Sequence, residues 1–219
     1  MELIGTIVHL QVQRSSLKLG DRPRRWFDPA PLLTVPALEL DPGGVVGLTA
    51  DGQRVIDVHN RRHPESRYND AKPNGLSLGF TSHYAQMRRR FGDKVIDGLA
   101  GENILVRTDR TFCGADLPAE LVIETAAGPI HLAGARVIEP CVEFSRYALG
   151  WRGAPKHDLA TPAEHDAATR FGDEAPGLAR PDPQVKETLV FLRRGMRGYC
   201  ATYARGATVV RVGDRVFSA

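Results

Sequence analysis

The sequence predicts a mainly β protein whose strands form a closed or nearly closed barrel with a few short helices. Three observations favour this fold: the apolar segments are short, turns containing Gly and Pro separate them, and helical periodicity is confined to brief stretches. Closure suits many short strands because it removes exposed sheet edges. The 219 residues are 42% hydrophobic, enough to bury one core, so we expect a single domain over residues 1–219.

Strands and polar loops alternate in the first part of the chain. We expect a first strand at residues 3–12 and an Arg- and Pro-rich loop at residues 20–31. Further strands are expected at residues 45–48 and 55–58, because a Gly-Gly and an Asp-Gly turn signal precede them.

The clearest helical pattern covers residues 82–91. Apolar residues recur there at intervals of three or four positions, from Phe80 to Phe91. Thr81 is a suitable N-cap, and Gly92 is a suitable stop.

The second part of the chain returns to strands. We expect strands at residues 104–106, 121–124 and 130–138, a helix at residues 184–193, and a closing hairpin formed by residues 198–203 and 208–217. Residues 150–183 differ, because they are rich in Gly, Pro, Ala and charge and hold one short helix. They begin nine residues after Cys141, so we interpret them as an excursion that covers Cys141 as a mobile lid.

Cysteine usage predicts the redox environment. Cys113, Cys141 and Cys200 contain no Cys-x-x-Cys pair, so we expect neither a structural zinc nor a disulfide. An odd number of cysteines behind an N-terminus that reads as a strand, and not as a secretory leader, favours reduced thiols in the cytoplasm.

Charge and hydropathy argue against two classes of partner. The net charge of +3 is too small to indicate a nucleic acid, and no apolar run approaches the length of a membrane span. A small-molecule substrate is the expected partner.

Cys141 is the candidate for chemistry because of what precedes it. Pro140 cannot donate a ladder hydrogen bond and holds Glu139 extended, so the strand that begins at residue 130 should end here, with the thiol at its terminus. The thiolate is the nucleophile and ligand, and only about 3% of an ordinary thiol is ionised at pH 7. Nearby cations would raise that fraction, and Arg136 and Arg146 are close in sequence.

Residues 57–68 form the densest polar cluster. We interpret this segment, which includes His59 and Arg67, as a cationic loop that binds an anion together with Arg197. His59 and His63 have the spacing of zinc ligands on a helix, but Pro64 argues against a helix there. A solvated loop with surface charges is the alternative.

Four short motifs follow one another along the chain, and their order is informative about the family. They are Gly101-Glu102-Asn103, Glu139-Pro140-Cys141, Arg197-Gly198-Tyr199 and Gly213-Asp214-Arg215-Val216. Together they resemble the MOSC family (molybdenum-cofactor sulfurase C-terminal-like), and the resemblance covers nearly the whole chain. It implies a MOSC-type β-barrel with a cysteine that either ligates molybdenum in a pyranopterin cofactor or carries sulfur as a persulfide. By position this residue would be Cys141.

The resemblance also implies a set of cofactor-binding residues. Asn103 and Arg197 would line the cofactor cleft, with His59 and Arg67 as further contributors. Many members of the family have an arginine where this chain has Ile138, so Arg136 or Arg146 would have to supply that charge.

The sequence therefore leaves three candidate functions. The first is a molybdenum-cofactor oxidoreductase that reduces N-hydroxylated small molecules, as relatives do, with electrons from a separate donor. The second is a sulfur-relay protein that uses a Cys141 persulfide without a metal. The third is a non-catalytic barrel that binds an anion.

Overall fold

The computed structural model describes residues 1–21, 25–151 and 182–219. Its strands in chain order are β1 (Glu2–Gln13), β2 (Lys18–Leu19), β3 (Trp26–Phe27), β4 (Leu32–Thr34), β5 (Ala37–Asp41), β6 (Gly44–Leu48), β7 (Arg54–Ile56), β8 (Leu76–Phe80), β9 (Ile104–Arg107), β10 (Leu121–Thr125), β11 (Gly128–Val137), β12 (Tyr199–Thr202), β13 (Thr208–Arg211) and β14 (Arg215–Ser218). The helices are α1 (Thr81–Phe91), α2 (Val142–Ala148) and α3 (Pro183–Phe191), with a 3-10 turn at Gly114–Asp116 and a widened helical turn at Leu192–Met196.

Seven strands close into a barrel. Their order around the barrel is β1, β9, β8, β12, β11, β10, β14, and β14 pairs again with β1. The ring closes through β1, which is antiparallel to β9 at Ile7↔Val106 and to β14 at Leu3↔Phe217. The β8–β9 pair is parallel, and the other pairs of the ring are antiparallel.

Apolar side chains fill the barrel. Ile7 and Leu10 of β1, Leu78 and Phe80 of β8, and Ile104 of β9 are fully buried in one continuous cluster. Leu78 and Phe80 are two residues apart, as expected when one face of a strand lines the core.

Two smaller sheets flank the barrel. Strands β13, β5, β6 and β7 form an antiparallel sheet, and β2 pairs with β3 in a short hairpin through Lys18↔Phe27 and Leu19↔Trp26. The β3 strand contacts α2, where the Phe27 ring packs edge-on against Phe144 and Tyr147 at 5.1 Å each. The β2–β3 hairpin therefore covers the helix that follows Cys141.

The helices bury a second cluster against the outside of the barrel. Tyr84 and Met87 of α1, Phe144 of α2 and Leu192 pack there with Leu105 of β9. Leu105 lies between Ile104 and Val106, whose side chains face the barrel interior. Because side chains alternate along a strand, one face of β9 contributes to the barrel core and the other face to the second cluster.

The predicted fold class, a mainly β closed barrel with a few short helices, is confirmed. The expected loop at residues 20–31 is wrong in part, because Trp26–Phe27 pairs with Lys18–Leu19. The expected closing hairpin is wrong, because residues 199–202 pair with β11 and β8 whereas residues 208–211 pair with β5. The segment 208–217 is itself two strands in different sheets, since the chain turns at Gly213 with φ 100°.

The start of α1 also differs from the prediction. Thr81 is its first helical residue and not its cap; its hydroxyl donates to the Thr108 carbonyl. The lid predicted at residues 150–183 lies almost entirely outside the described residues, as does its short helix. None of the helices in the described ranges is both long and apolar enough to cross a membrane.

Candidate functional site

Cys141 lies where a barrel strand gives way to a helix. The last ladder-like bond after β11 runs from the Ile138 amide to the Gly198 carbonyl at 2.9 Å, and Pro140 then precedes the thiol. The Cys141 carbonyl accepts bonds from the Ser145 hydroxyl and amide at 2.9 and 3.1 Å, which starts α2. The residue is half-buried, and it lies four residues after the end of β11, at the N-cap of α2 and not at the strand terminus itself.

A buried carboxylate accompanies the thiol. Glu143 is 6% exposed, and the Arg25 guanidinium lies 2.8 Å and the Lys18 ammonium 3.9 Å from its two oxygens. Burial alone would raise the pKa of Glu143, but the Lys18 charge, a backbone hydrogen bond and the Arg25 charge act together to lower that pKa below its ordinary value. A hydrogen bond with the Cys141 thiol adds to this lowering.

Lys18 and Arg25 were not among the residues singled out from the sequence. Lys18 begins β2 and Arg25 directly precedes β3; only Arg25 falls within the loop expected at residues 20–31. The Arg-rich composition of residues 20–31 was the available signal. The pairing that brings the hairpin to α2 depends on tertiary contacts such as Phe27 on Phe144.

Arg197 packs against the ring of Phe144 in α2. Its guanidinium is 4.9 Å from the centre of the Phe144 ring and 3.6 Å from the Glu102 carboxylate. Phe144 is three residues after Cys141, so the two share the first turn of α2 and Arg197 stacks beside that turn. The arginine side chain is 12% exposed.

Glu102 is held inside the protein. Its second oxygen accepts the Tyr84 hydroxyl at 2.6 Å, and Tyr84 in turn accepts the Ala100 amide at 3.0 Å. Burial raises the pKa of Glu102, while Arg197 and Tyr84 act to lower it. Space for the carboxylate depends on Gly198, where a Cβ would lie 2.9 Å from the Glu102 Cγ and 2.6 Å from the Leu78 carbonyl.

Arg146 extends from the same helix as Phe144. Its guanidinium lies 5.9 Å from the centre of the Trp151 ring. Burial lowers the pKa of Arg146, while the charges of Glu143 and Asp182 raise it. Arg146 and Arg197 thus both lie around α2.

Asn103 and His59 belong to a second cluster, centred on Asp57. Asn103 donates to the Asp57 carboxylate at 2.9 Å and accepts from the Ser77 hydroxyl at 2.9 Å. The His59 ring nitrogen Nδ1 lies 3.2 Å from the other Asp57 oxygen. Asp57 and Asn103 are buried, and their polar atoms are hydrogen-bonded within the protein.

Glu102 and Asn103 are adjacent in the chain but belong to different clusters. Glu102 contacts Arg197, whereas Asn103 contacts Asp57. The structure therefore groups Cys141, Arg146 and Arg197 around α2, and it groups His59 with Asn103 around Asp57.

Two arginines of the loop at residues 57–68 form salt bridges with aspartates. Arg61 pairs with Asp70 at 2.7 Å and lies over the Tyr68 ring, and Arg62 pairs with Asp41. Arg67 is exposed, and its backbone amide donates to the Val58 carbonyl at 2.7 Å. The contacts of Arg67 do not link it to Arg197, so a single anion site built from both remains a prediction.

Metal ligation at Cys141 would depend on other donors. Across residues 1–21, 25–151 and 182–219, no three His, Cys, Asp or Glu side chains come together as a ligand group. A metal bound to Cys141 by these residues would therefore need most of its ligands from a cofactor or solvent.

Comparisons with known proteins leave the family open. No family model matches the chain, and no curated protein does. The crystal structure of the YuaD protein from Bacillus subtilis superposes with a TM-score of 0.49 at 14% identity, over 97% of this chain and 93% of that one. A second crystal structure, described as a hypothetical protein, gives 0.49 at 9% identity over 98% of this chain and 68% of that one. Neither description states an activity or a ligand.

Proposed function

We propose that this chain is a MOSC-type protein in which Cys141 ligates the molybdenum of a pyranopterin cofactor. The reaction class we infer is reduction of an N-hydroxylated small molecule, with electrons from a separate donor. The observation that carries the proposal is the half-buried Cys141 thiol four residues after the end of β11, with Arg197 stacked one helical turn away on Phe144.

The donor set fits such a group. A thiolate is a soft ligand that suits a metal brought by a sulfur-rich cofactor, and a guanidinium suits the cofactor's phosphate. When bound, the cofactor would supply the electron-transfer chemistry. The residues of this chain would bind and orient it: Cys141 through sulfur, Arg197 and Arg146 through charge.

Glu102 and Tyr84 support the position of Arg197. The buried carboxylate faces Arg197, and the Tyr84 hydroxyl fixes the carboxylate. The Phe144 ring and the Glu102 carboxylate already restrict the Arg197 guanidinium. Arg197 therefore loses little additional side-chain entropy when it binds an anion.

The same thiol supports a second candidate. A persulfide on Cys141 would also be anionic, and Arg197 and Arg25 would stabilise it in the same way. This sulfur-relay function needs no metal. A non-catalytic barrel that binds an anion near α2 is the third candidate.

One set of measurements separates the three. The protein is purified from a host that makes the pterin cofactor, and its molybdenum, its oxidised-pterin fluorescence and its cyanide-labile sulfur are measured together. Molybdenum and pterin should reach near-stoichiometric levels in the wild type and should be lost in Cys141→Ser. Cyanide-labile sulfur without molybdenum would instead favour the relay, and neither signal would favour the third candidate.

Cys113→Ser is the matched control because Cys113 is exposed. It should load like the wild type. Equal loss of loading in Cys113→Ser and Cys141→Ser would remove the assignment of Cys141. The melting temperature of Cys141→Ser should fall by no more than about 5 °C, a cost of ~1–2 kcal/mol at this size.

A further inference from the structure

The charges around Cys141 are divided between two carboxylates. Arg197 faces Glu102, while Lys18 and Arg25 face Glu143. The charges of Lys18 and Arg25 act on Glu143 from the β2–β3 hairpin, the Cys141 thiol hydrogen-bonds to it, and the charge of Glu143 acts in turn on Arg146 of the same helix. The hairpin cations are therefore counter-ions of a carboxylate two residues after the thiol.

Glu143 costs free energy where it lies. A buried carboxylate is retained only when it is paired, and an apolar residue of similar volume is often at least as stabilising. Its neighbours in the chain, Val142 and Phe144, are buried and apolar. Filling space on α2 thus does not account for an acid at this position.

The Arg25–Glu143 pair is incomplete. Arg25 uses one terminal nitrogen on one oxygen of Glu143, at 2.8 Å, and its Nε is buried with no hydrogen-bond partner among the described residues. The Lys18 ammonium lies at 3.9 Å, outside normal hydrogen-bonding distance. A guanidinium in a bidentate pair would use two parallel N–H groups. The Arg25 guanidinium thus has donor capacity that Glu143 does not use.

We propose that Lys18 and Arg25 form a binding site for a tetrahedral oxyanion beside Cys141, and that Glu143 is the internal counter-ion with which the oxyanion competes. The oxyanion has the chemistry of a phosphate, whether free or part of a larger ligand. This inference rests on the proposed function only in taking Cys141 as the reactive group.

Because the oxyanion and Glu143 compete for the same cations, replacing Glu143 should change the affinity for an oxyanion in a known direction. Glu143→Gln removes the competing charge and leaves the cations in place, so affinity for an oxyanion should increase. A carboxylate that only stabilised the fold would not produce a gain. We expect about a tenfold increase, which corresponds to about 1.4 kcal/mol.

The probe is inorganic phosphate, and the readout is local to the site. Cys141 is alkylated with iodoacetamide, which is uncharged, and its modification is followed by mass spectrometry of the peptide that contains it. A bound phosphate places negative charge beside the thiol and disfavours the thiolate, so it should slow alkylation in a saturable manner. Sodium chloride at equal ionic strength controls for screening.

Three variants complete the experiment. Glu143→Gln should show the same slowing at about tenfold lower phosphate, and Arg25→Gln should lose it. Lys18→Gln, at a side chain that is 34% exposed, should weaken it without threatening the fold. Phosphate affinity that is unchanged or lower in folded Glu143→Gln overturns the proposal, as does a phosphate effect that survives in Arg25→Gln. If Glu143→Gln does not fold, an unchanged phosphate effect in Lys18→Gln overturns it.

The two proposals can fail separately. Phosphate dependence can be measured on protein that contains no molybdenum. A gain of phosphate affinity in Glu143→Gln without cofactor loading in the wild type would refute the proposed function alone. Stoichiometric loading with no gain in Glu143→Gln would refute the oxyanion site alone.

Discussion

His83 couples the stability of this fold to pH. The ring is 1% exposed, its Nε2 accepts the Phe112 amide at 3.2 Å, and the Phe80 ring lies 5.2 Å away. Burial lowers the pKa of His83 from 6.5 to about 4. The folded protein therefore keeps His83 neutral at pH values where the unfolded chain protonates it.

The sign follows from proton binding. Between pH 6.5 and about 4 the unfolded state binds more protons at this position than the native state does, so stability falls as the pH falls through this window. Above pH 6.5 both states are neutral and the effect vanishes. Between pH 7.5 and pH 5 the loss from His83 alone is about 2 kcal/mol, and it approaches about 3 kcal/mol below pH 4.

Urea denaturation at pH 7.5 and pH 5 measures this loss. His83→Gln keeps an acceptor for the Phe112 amide but does not titrate, so its free energy of unfolding should lose about 2 kcal/mol less than the wild type over the same interval. The contribution of Glu102 and the other acids is common to both proteins and cancels in the difference. His131→Gln, at an exposed histidine, controls for removal of an imidazole. An identical pH dependence in wild type and His83→Gln would refute the reasoning.

Two further predictions concern the supports of the site. Gly198 and Gly213 have φ of 92° and 100°, but a Cβ at Gly198 would lie 2.6 Å from the Leu78 carbonyl, whereas Gly213 has open space. Gly198→Ala should therefore lower the melting temperature by roughly 4–8 °C more than Gly213→Ala, or about 2 kcal/mol, and equal shifts would contradict the clash. Asp57→Ala should cost about 3 kcal/mol in urea denaturation, because it leaves the buried Gln13 amide without its acceptor and removes the shorter of the two hydrogen bonds that the Asn103 side chain donates; a loss below about 1 kcal/mol would contradict that accounting.

Local pattern was sufficient to predict most of the fold. The strands at residues 104–106, 121–124 and 130–138 have turn signals between them, and the helix at residues 82–91 follows a clear apolar period. The β2–β3 hairpin was missed because its strands are two residues long and gain their stability from contacts with α2. Pairings this short leave too little periodicity to be read from sequence.

The site was predictable only in part, for a similar reason. Pro140 indicated that the strand ends before Cys141; β11 ends at Val137, and Cys141 lies at the N-cap of α2. Sequence proximity could not identify the cations, because Lys18 and Arg25 are more than 100 residues from Glu143 along the chain. Arg136, which is close in sequence, instead donates to the carbonyls of Lys72 and Pro73.

The two carboxylates near α2 differ in how firmly they are held, and this decides which of them an anion can displace. Glu102 is fixed by the Tyr84 hydroxyl and by tight packing at Gly198, so moving it would break a buried hydrogen bond. Glu143 has a hydrogen bond with the Cys141 thiol, and toward the hairpin cations it has one bond, from Arg25, and a distant Lys18 ammonium. An incoming oxyanion can replace those interactions with stronger ones, whereas it cannot replace the support of Glu102. Arg197 is therefore a cation of fixed position, and the hairpin cations are the ones whose partner can exchange.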